Sequence, residues 1–240
     1  MSTILRLLPV AVLLCLLVSC QGPGSHRGLQ STYGDRPGPK GFGTVVVDAG
    51  HGGHDSGARA RGLVEKQLAL DITRRLQDDL RGSFKVVQIR QSDRFVDLDD
   101  RVRLASRYPD GILVSIHLNY GNRRRSGPET YYWRTDSYSL ARRVQRNLAA
   151  VVPGESGNAG LVRRRLRLTR NPTIPCILVE CGYLTNSSEA ARLTNARYRE
   201  SLAEAIAQAI KEQSRNGDAG MGPLPRPIYA PPSRAHDARG

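Results

Sequence analysis

Four residues of types that do hydrolytic chemistry stand where hydrophobic runs break off. His51 follows Val45-Val46-Val47 in the segment Asp48-Ala49-Gly50-His51, and His117 follows Ile112-Leu113-Val114-Ser115-Ile116. Glu180 ends Ile177-Leu178-Val179, and Glu65 stands in the first turn of an amphipathic stretch that begins at Val64. Two imidazoles and one carboxylate form a three-ligand set suited to catalytic zinc, with the fourth tetrahedral position left to water. Such a metal lowers the pKa of its water and polarises a carbonyl. A second carboxylate outside the ligand set must then carry the proton from water to leaving group, and Glu180 fits that role.

Each of these residues also has an ordinary reading. A histidine at a strand end serves as a satisfied polar residue, and a glutamate in a first helical turn is favoured by the helix dipole. Glu180 is harder to dismiss, because a carboxylate directly after Ile-Leu-Val lies close to the core, where an unpaired charge is costly. His54 is a rival ligand that would otherwise line the mouth of the site. Asp48 is a candidate to orient His51 from behind.

The elements that must position these groups are legible in the hydrophobic pattern. Thr44–Asp48, Ile112–Ile116 and Ile177–Val179 read as buried strands, and Phe84–Arg90 and Pro128–Trp133 as further strands, the last near an edge. Leu68, Ile72, Leu76 and Leu80 recur at every fourth position, so Val64–Leu80 reads as a helix closed by Gly82. Shorter helical patterns cover Asp97–Tyr108 and Ser139–Val151, and a short and a long helix fill Ser188 to about Glu212. Alternating strands and helices predict a single α/β domain with a mostly parallel or mixed twisted sheet and helices on both faces. In such a sheet the carboxyl ends of the strands share one edge, where ligand sites form. Residues spread over the sequence from 51 to 180 therefore converge.

Composition bounds the rest. The 240 residues suffice for one domain with tails, and the net charge of +14 is carried almost entirely by arginine. That balance attracts polyanions. No aromatic-and-basic recognition element accompanies the arginines, so nucleic acid is not the expected partner. Residues 1–19 carry one Arg before an apolar run from Leu7 to Val18, too short for a comfortable bilayer span, and read as a signal segment. Leu17-Val18-Ser19-Cys20 resembles a lipobox, which implies lipidation of Cys20 and a membrane-anchored protein outside the cytoplasm. Residues 20–42 read as a flexible tether, 43–214 as the folded domain, and 215–240, with five prolines, as a disordered tail. Cys176 and Cys181 lie five apart in one apparent strand, about 16 Å at strand rise, too far for a disulfide. Both are expected to be buried free thiols.

Five ordered segments then resemble a known family. Val47-Asp48-Ala49-Gly50-His51-Gly52-Gly53-His54-Asp55-Ser56-Gly57-Ala58 is similar to the opening signature of the zinc-dependent N-acetylmuramoyl-L-alanine amidases of the type-3 family. Gly62-Leu63-Val64-Glu65-Lys66 resembles the second ligand segment, and Ser115-Ile116-His117-Leu118-Asn119 the third, where Ala commonly stands for Leu118. Arg90-Gln91-Ser92-Asp93 with Leu98-Asp99-Asp100-Arg101, and Pro175 to Asn186 around Glu180, complete the match, with Tyr183 in place of Phe. The resemblance implies one Zn²⁺ on His51, Glu65 and His117, with Glu180 as the catalytic acid/base. It implies hydrolysis of the amide joining N-acetylmuramic acid to L-alanine of peptidoglycan, in wall remodelling or daughter-cell separation. Some relatives carry a long plug helix between the third ligand and the catalytic glutamate. Only 62 residues separate His117 from Glu180 here, so a monomer without an obligatory activator is expected. Asn119, Arg123 in the Arg123–Arg125 run, and Arg165 in the Arg163–Arg167 run are candidates to contact substrate; the alternative for both arginine runs is a solvated face. The rival activities are a zinc peptidase acting within the stem peptide and a non-catalytic, lipid-anchored wall-binding module.

Overall fold

The computed structural model describes residues 34–153 and 158–236. The expected signal segment, Cys20 and the first part of the tether lie outside the described residues. In chain order the elements are β1 (Thr44–Ala49), β2 (Arg59–Ala60), β3 (Leu63–Val64), α1 (Glu65–Leu80), β4 (Lys85–Gln88), α2 (Leu98–Ala105), β5 (Gly111–Asn119), β6 (Glu129–Tyr132), α3 (Tyr138–Val151), β7 (Gly160–Arg163), α4 (Arg167–Arg170), β8 (Cys176–Tyr183), α5 (Ser187–Thr194) and α6 (Ala196–Asn216). One 3-10 turn, Thr135–Ser137, leads into α3.

Six strands form one sheet in the order β4-β1-β5-β8-β6-β7, and β2 and β3 form a separate small antiparallel pair. β4, β1, β5 and β8 run parallel, β6 runs antiparallel to β8, and β7 returns parallel to β6. The sheet is therefore mixed but mostly parallel, as the alternating pattern predicts. Side chains alternate between its faces. Val45, Val47, Ile112, Val114, Ile116, Ile177 and Val179 pack with α1, α3 and α6 in the main core. Val46, Leu113 and Cys176 point the other way, into a smaller core with Ala105 of α2 and Leu168 of α4. Cys176 and Cys181 are free and buried, one in each core. Burial pushes the Cys176 thiol up to about 12, so it stays protonated.

Three boundaries near the site differ from the expected ones. β5 and β8 do not stop at Ile116 and Val179 but continue to Asn119 and Tyr183, so His117 and Glu180 lie within strands. The apolar face of each strand runs on through Leu118 and Cys181, which keeps the ladder going past the polar residues. α1 begins at Glu65, with Val64 extended as its N-cap. Among the described residues no side chain caps that end. The amides of Glu65 and Lys66 instead donate to the carbonyls of Ala58 and Ser56, at 2.9 and 3.2 Å.

The two flanking segments also differ from a free tether and a disordered tail. From Gly34 onward the chain lies on the domain. Gly38 N donates to Asp218, Gln213 Nε2 donates to the Pro39 carbonyl, and Gly41 N donates to the Ser214 carbonyl. Residues 217–236 have no regular repeat beyond α6, yet their carbonyls are hydrogen-bonded by domain side chains, and Met221 and Ser233 are buried. Low apolar content reads as disorder because it cannot form a core. It does not prevent a chain from being held by donors aimed at its main chain. Among the described residues no helix is long and apolar enough to cross a membrane.

Candidate metal centre

The loop after β1 is built to hold His51 in an unusual conformation. His51 has φ +58°, a left-handed position that few non-glycine residues adopt. Two buried arginines fix the surrounding main chain. Arg90 donates to the carbonyls of Ala49, Gly50 and Lys66 at 2.8, 2.7 and 2.8 Å. Arg101 donates to the carbonyls of Ala49 and His51, both at 2.7 Å. Arg101 is itself held by Asp48 at 2.5 Å, and Ser115 Oγ donates to the other oxygen of Asp48 at 2.7 Å. Asp48 therefore acts on His51 through the Arg101 guanidinium and the main chain. Gly50 leaves room for the third side chain of the site, since a Cβ there would lie 2.3 Å from His117 Cε1.

His51, Glu65 and His117 converge, with one ligand atom of each within 4.8 Å of the others. Both rings aim at one carboxylate oxygen. His51 Nε2 is 3.0 Å and His117 Nδ1 is 2.9 Å from Glu65 Oε1. The rings meet edge to face with centroids 4.9 Å apart. Glu65 Oε2 accepts from Ala58 N at 2.7 Å, so the loop that covers the start of α1 also sets the angle of the carboxylate. Asp55 Oδ2 takes the far nitrogen of His51, Nδ1, at 2.8 Å, and leaves Nε2 to face the centre. That contact fixes ring and tautomer in the way a metal-binding histidine needs. Among the described residues His117 Nε2 is buried with no hydrogen-bond partner, which is costly unless the imidazole has another use.

The electrostatics favour added positive charge. Burial alone pulls the His51 pKa down. The hydrogen bond and charge of Glu65, then those of Asp55, outweigh it and raise the ring to about 9. Burial pushes Glu65 up, but the bonds from His117 and His51 hold it far below the usual carboxylate range. A carboxylate only 4% exposed, kept ionised between two imidazoles, is a site that a cation completes. The donor set of two imidazoles and one carboxylate matches the chemistry of zinc.

Glu180 stands on β8 directly across from His117 on β5, on the same face, and is 2% exposed. Glu129 on β6 stands across from Glu180 in turn, so His117, Glu180 and Glu129 form a polar row over three strands. Asn119 is buried and is not among the three converging donors; its amide donates to Glu129 at 3.0 Å. His54 packs against Phe95, centroids 4.1 Å apart, and lines a cavity of about 450 Å³ together with His51, Asp55 and His117. It belongs to the mouth, not to the converging donors. Arg123 is exposed on the loop after β5. Arg165 does not line the cavity; its guanidinium donates to the Pro231 carbonyl, whereas Arg167 does line it.

Residues 45–212 match the family described as N-acetylmuramoyl-L-alanine amidase. The chain belongs to this family. It is 35% identical over 169 residues to the N-acetylmuramoyl-L-alanine amidase LytC of Bacillus subtilis (strain 168), covering 68% of this chain but only 34% of that longer relative. It is 36% identical over 172 residues to YqiI of the same organism, an uncharacterised protein, with 70% of this chain and 82% of that one covered. Among solved structures, the amidase AmiC2 of Nostoc punctiforme superposes with a TM-score of 0.68 at 37% identity, covering 72% of this chain and 97% of that one. An amidase from Clostridium difficile 630 gives 0.67 at 34%, with the same coverage. The matched span contains every converging residue and ends within α6.

Proposed function

We propose that this chain hydrolyses the amide between N-acetylmuramic acid and L-alanine of peptidoglycan, with one zinc ion held by His51, Glu65 and His117. The observation that carries the reading is the convergence of those three donors beside Glu180 in a family of amidases. Zinc bound there would polarise the scissile carbonyl and make water a nucleophile at neutral pH. Glu180 takes the proton of the attacking water. As the C–N bond breaks, Glu180 delivers that proton to the departing alanine nitrogen. The products are the lactyl carboxylate of the sugar and a stem peptide with a free amino terminus. Asp55 keeps the His51 ring turned toward the centre, and Arg90 and Arg101 keep its loop rigid.

The site of action is the cell envelope outside the cytoplasm, where peptidoglycan lies. The lipobox-like Leu17–Cys20 supports a lipid anchor at Cys20, and Cys20→Ala should release the protein from membranes. The deciding test is mass analysis of purified muropeptides after digestion. Release of intact stem peptide beginning with L-alanine supports the amidase reading. Cleavage between stem-peptide residues would make the chain a peptidase, and no cleavage with no bound zinc would leave a wall-binding module.

A further inference from the structure

We infer that the C-terminal segment 223–236 is a wall of the active-site cleft and that His236 is a substrate-contacting residue. This rests on the amidase reading above. The segment follows the end of α6 after residues 217–222 and passes β7, the edge strand of the sheet. Arginines of β7 and α4 and the residues around them hold it by its main chain. Arg163 donates to the Arg226 carbonyl at 2.8 Å, Arg170 to that of Ala230 at 2.5 and 3.0 Å, and Arg167 to that of Arg234 at 2.9 Å. Asn171 fixes the register near the end. Its Nδ2 donates to the Ser233 carbonyl at 2.9 Å and its Oδ1 accepts from Ser233 N at 2.7 Å, a paired contact of the kind one strand makes to another. Ser233 is 4% exposed, so the segment is anchored three residues before His236.

The place where this strap arrives gives it a role. His236 lines the same cavity as His51 and His117, beside Arg167, which holds the strap with one guanidinium nitrogen and Asp99 with the other at 3.3 Å. With the strap docked the cavity measures about 450 Å³, inside the range of about 300–1,000 Å³ found for small-ligand sites. A plug would have filled that space. The strap borders it instead, and presents an exposed imidazole to whatever enters. The ligand chemistry this suits is polar and anionic at one end, as a lactyl-peptide with its carboxylates is: His236 offers an N–H donor at the rim, beside the positive charge of the Arg167 guanidinium. The arginine run 163–167 was open to two readings, a solvated face or a contact with substrate. The strap gives most of it a third use, as the dock for this wall.

The test compares the full zinc-loaded chain, His236→Ala and a chain ending at Gly222, by steady-state kinetics on an N-acetylmuramoyl tripeptide. His236→Ala should raise KM about fivefold, the scale of one lost contact or hydrogen bond. The shortened chain should raise it further, and both should keep zinc content and the kcat of the full chain to within about twofold, because no proton carrier is touched. Unchanged KM in His236→Ala overturns the inference even if the shortened chain fails to fold, since that substitution is at an exposed residue. A fall in KM also overturns it, and would make the strap an obstruction. If the full chain itself releases no stem peptide, the amidase reading fails and takes this inference with it; if the full chain turns over and only the variants fail to differ, this inference alone fails.

Discussion

Glu129 and Glu180 stand directly opposite each other on antiparallel β6 and β8, both on the sheet face that carries His117. Opposed residues of this kind have Cβ atoms roughly 4.5–5.5 Å apart. Glu129 is 3% exposed and carries its charge among donors: Tyr131 OH at 2.6 Å, Asn119 Nδ2 at 3.0 Å, Tyr183 OH at 3.3 Å and the Arg125 guanidinium at 3.4 Å. Burial first, and then the Glu129 charge, push the Tyr183 hydroxyl up to about 12, so it remains a donor at any working pH. Glu129→Ala should therefore cost about 1–3 kcal/mol by stranding buried hydroxyl and amide donors, with Glu129→Gln milder because its carbonyl still accepts. Urea unfolding of the two variants measures this. Equal stability in all three proteins would mean that Glu129 holds nothing.

Glu180 and His117 are neighbours in the same register but have different work to do. Glu180→Gln removes only the proton carrier, so kcat should fall by about 10²–10⁴ while zinc stays stoichiometric. His117→Ala removes a ligand and should lose the metal along with the activity. Elemental analysis beside kinetics separates the two. Zinc lost from Glu180→Gln, or activity kept by it, would reverse the assignment.

The sheet and helices were legible because their signals are local. Leu68, Ile72, Leu76 and Leu80 share one helix face and all are buried in the main core. The β-branched runs gave β1, β5 and β8, and their parallel order brought His51, His117 and Glu180 to one region. What sequence did not reveal depends on partners far along the chain. Asp48 looked like the group behind His51, but at 0% exposure its partner is Arg101, 53 positions away. The true ring partner, Asp55, sits four residues from His51 across a tight bridge between Gly52 and Asp55, and that short spacing was the one available clue. Arg90 and Arg101 were visible within a family-like motif, yet nothing local says that both reach the same few carbonyls. The strap at 223–236 was invisible for a different reason. It is held through main-chain carbonyls, which every residue has, so its own composition does not encode the contact.

Asp55 supports the ligand His51 without joining the donor set. Asp55→Ala should weaken zinc binding by about 10–100-fold, as for other partners of metal-binding histidines. At saturating zinc much of the turnover should return, because neither Glu180 nor the donors are altered. A zinc titration followed by activity checks both halves. If affinity is unchanged, the 2.8 Å contact to Nδ1 does not orient the ring.

Asp71 offers a prediction about pH, far from the metal. It joins α1 to α6, accepting from Arg75 Nε at 2.9 Å and from Arg199 Nε at 2.5 Å. Partial burial pushes its carboxyl up, but the hydrogen bonds and charges of Arg75 and Arg199 outweigh this and lower it below the usual value. A carboxyl with a depressed folded pKa contributes stability that is complete above its unfolded pKa, about 4, and is lost as pH falls through the folded value. The side chain is 35% exposed, so screening keeps the contribution small. Asp71→Asn should then cost about 0.5–1 kcal/mol at pH 7, the range for partly exposed pairs. The difference from the parent should shrink below pH 4 and vanish once the parent's own Asp71 is protonated. Urea unfolding at pH 7 and at successive steps below pH 4 follows the convergence. A gap that stays constant across that window would mean that the substitution acts through packing of α1 on α6 and not through the charge of Asp71.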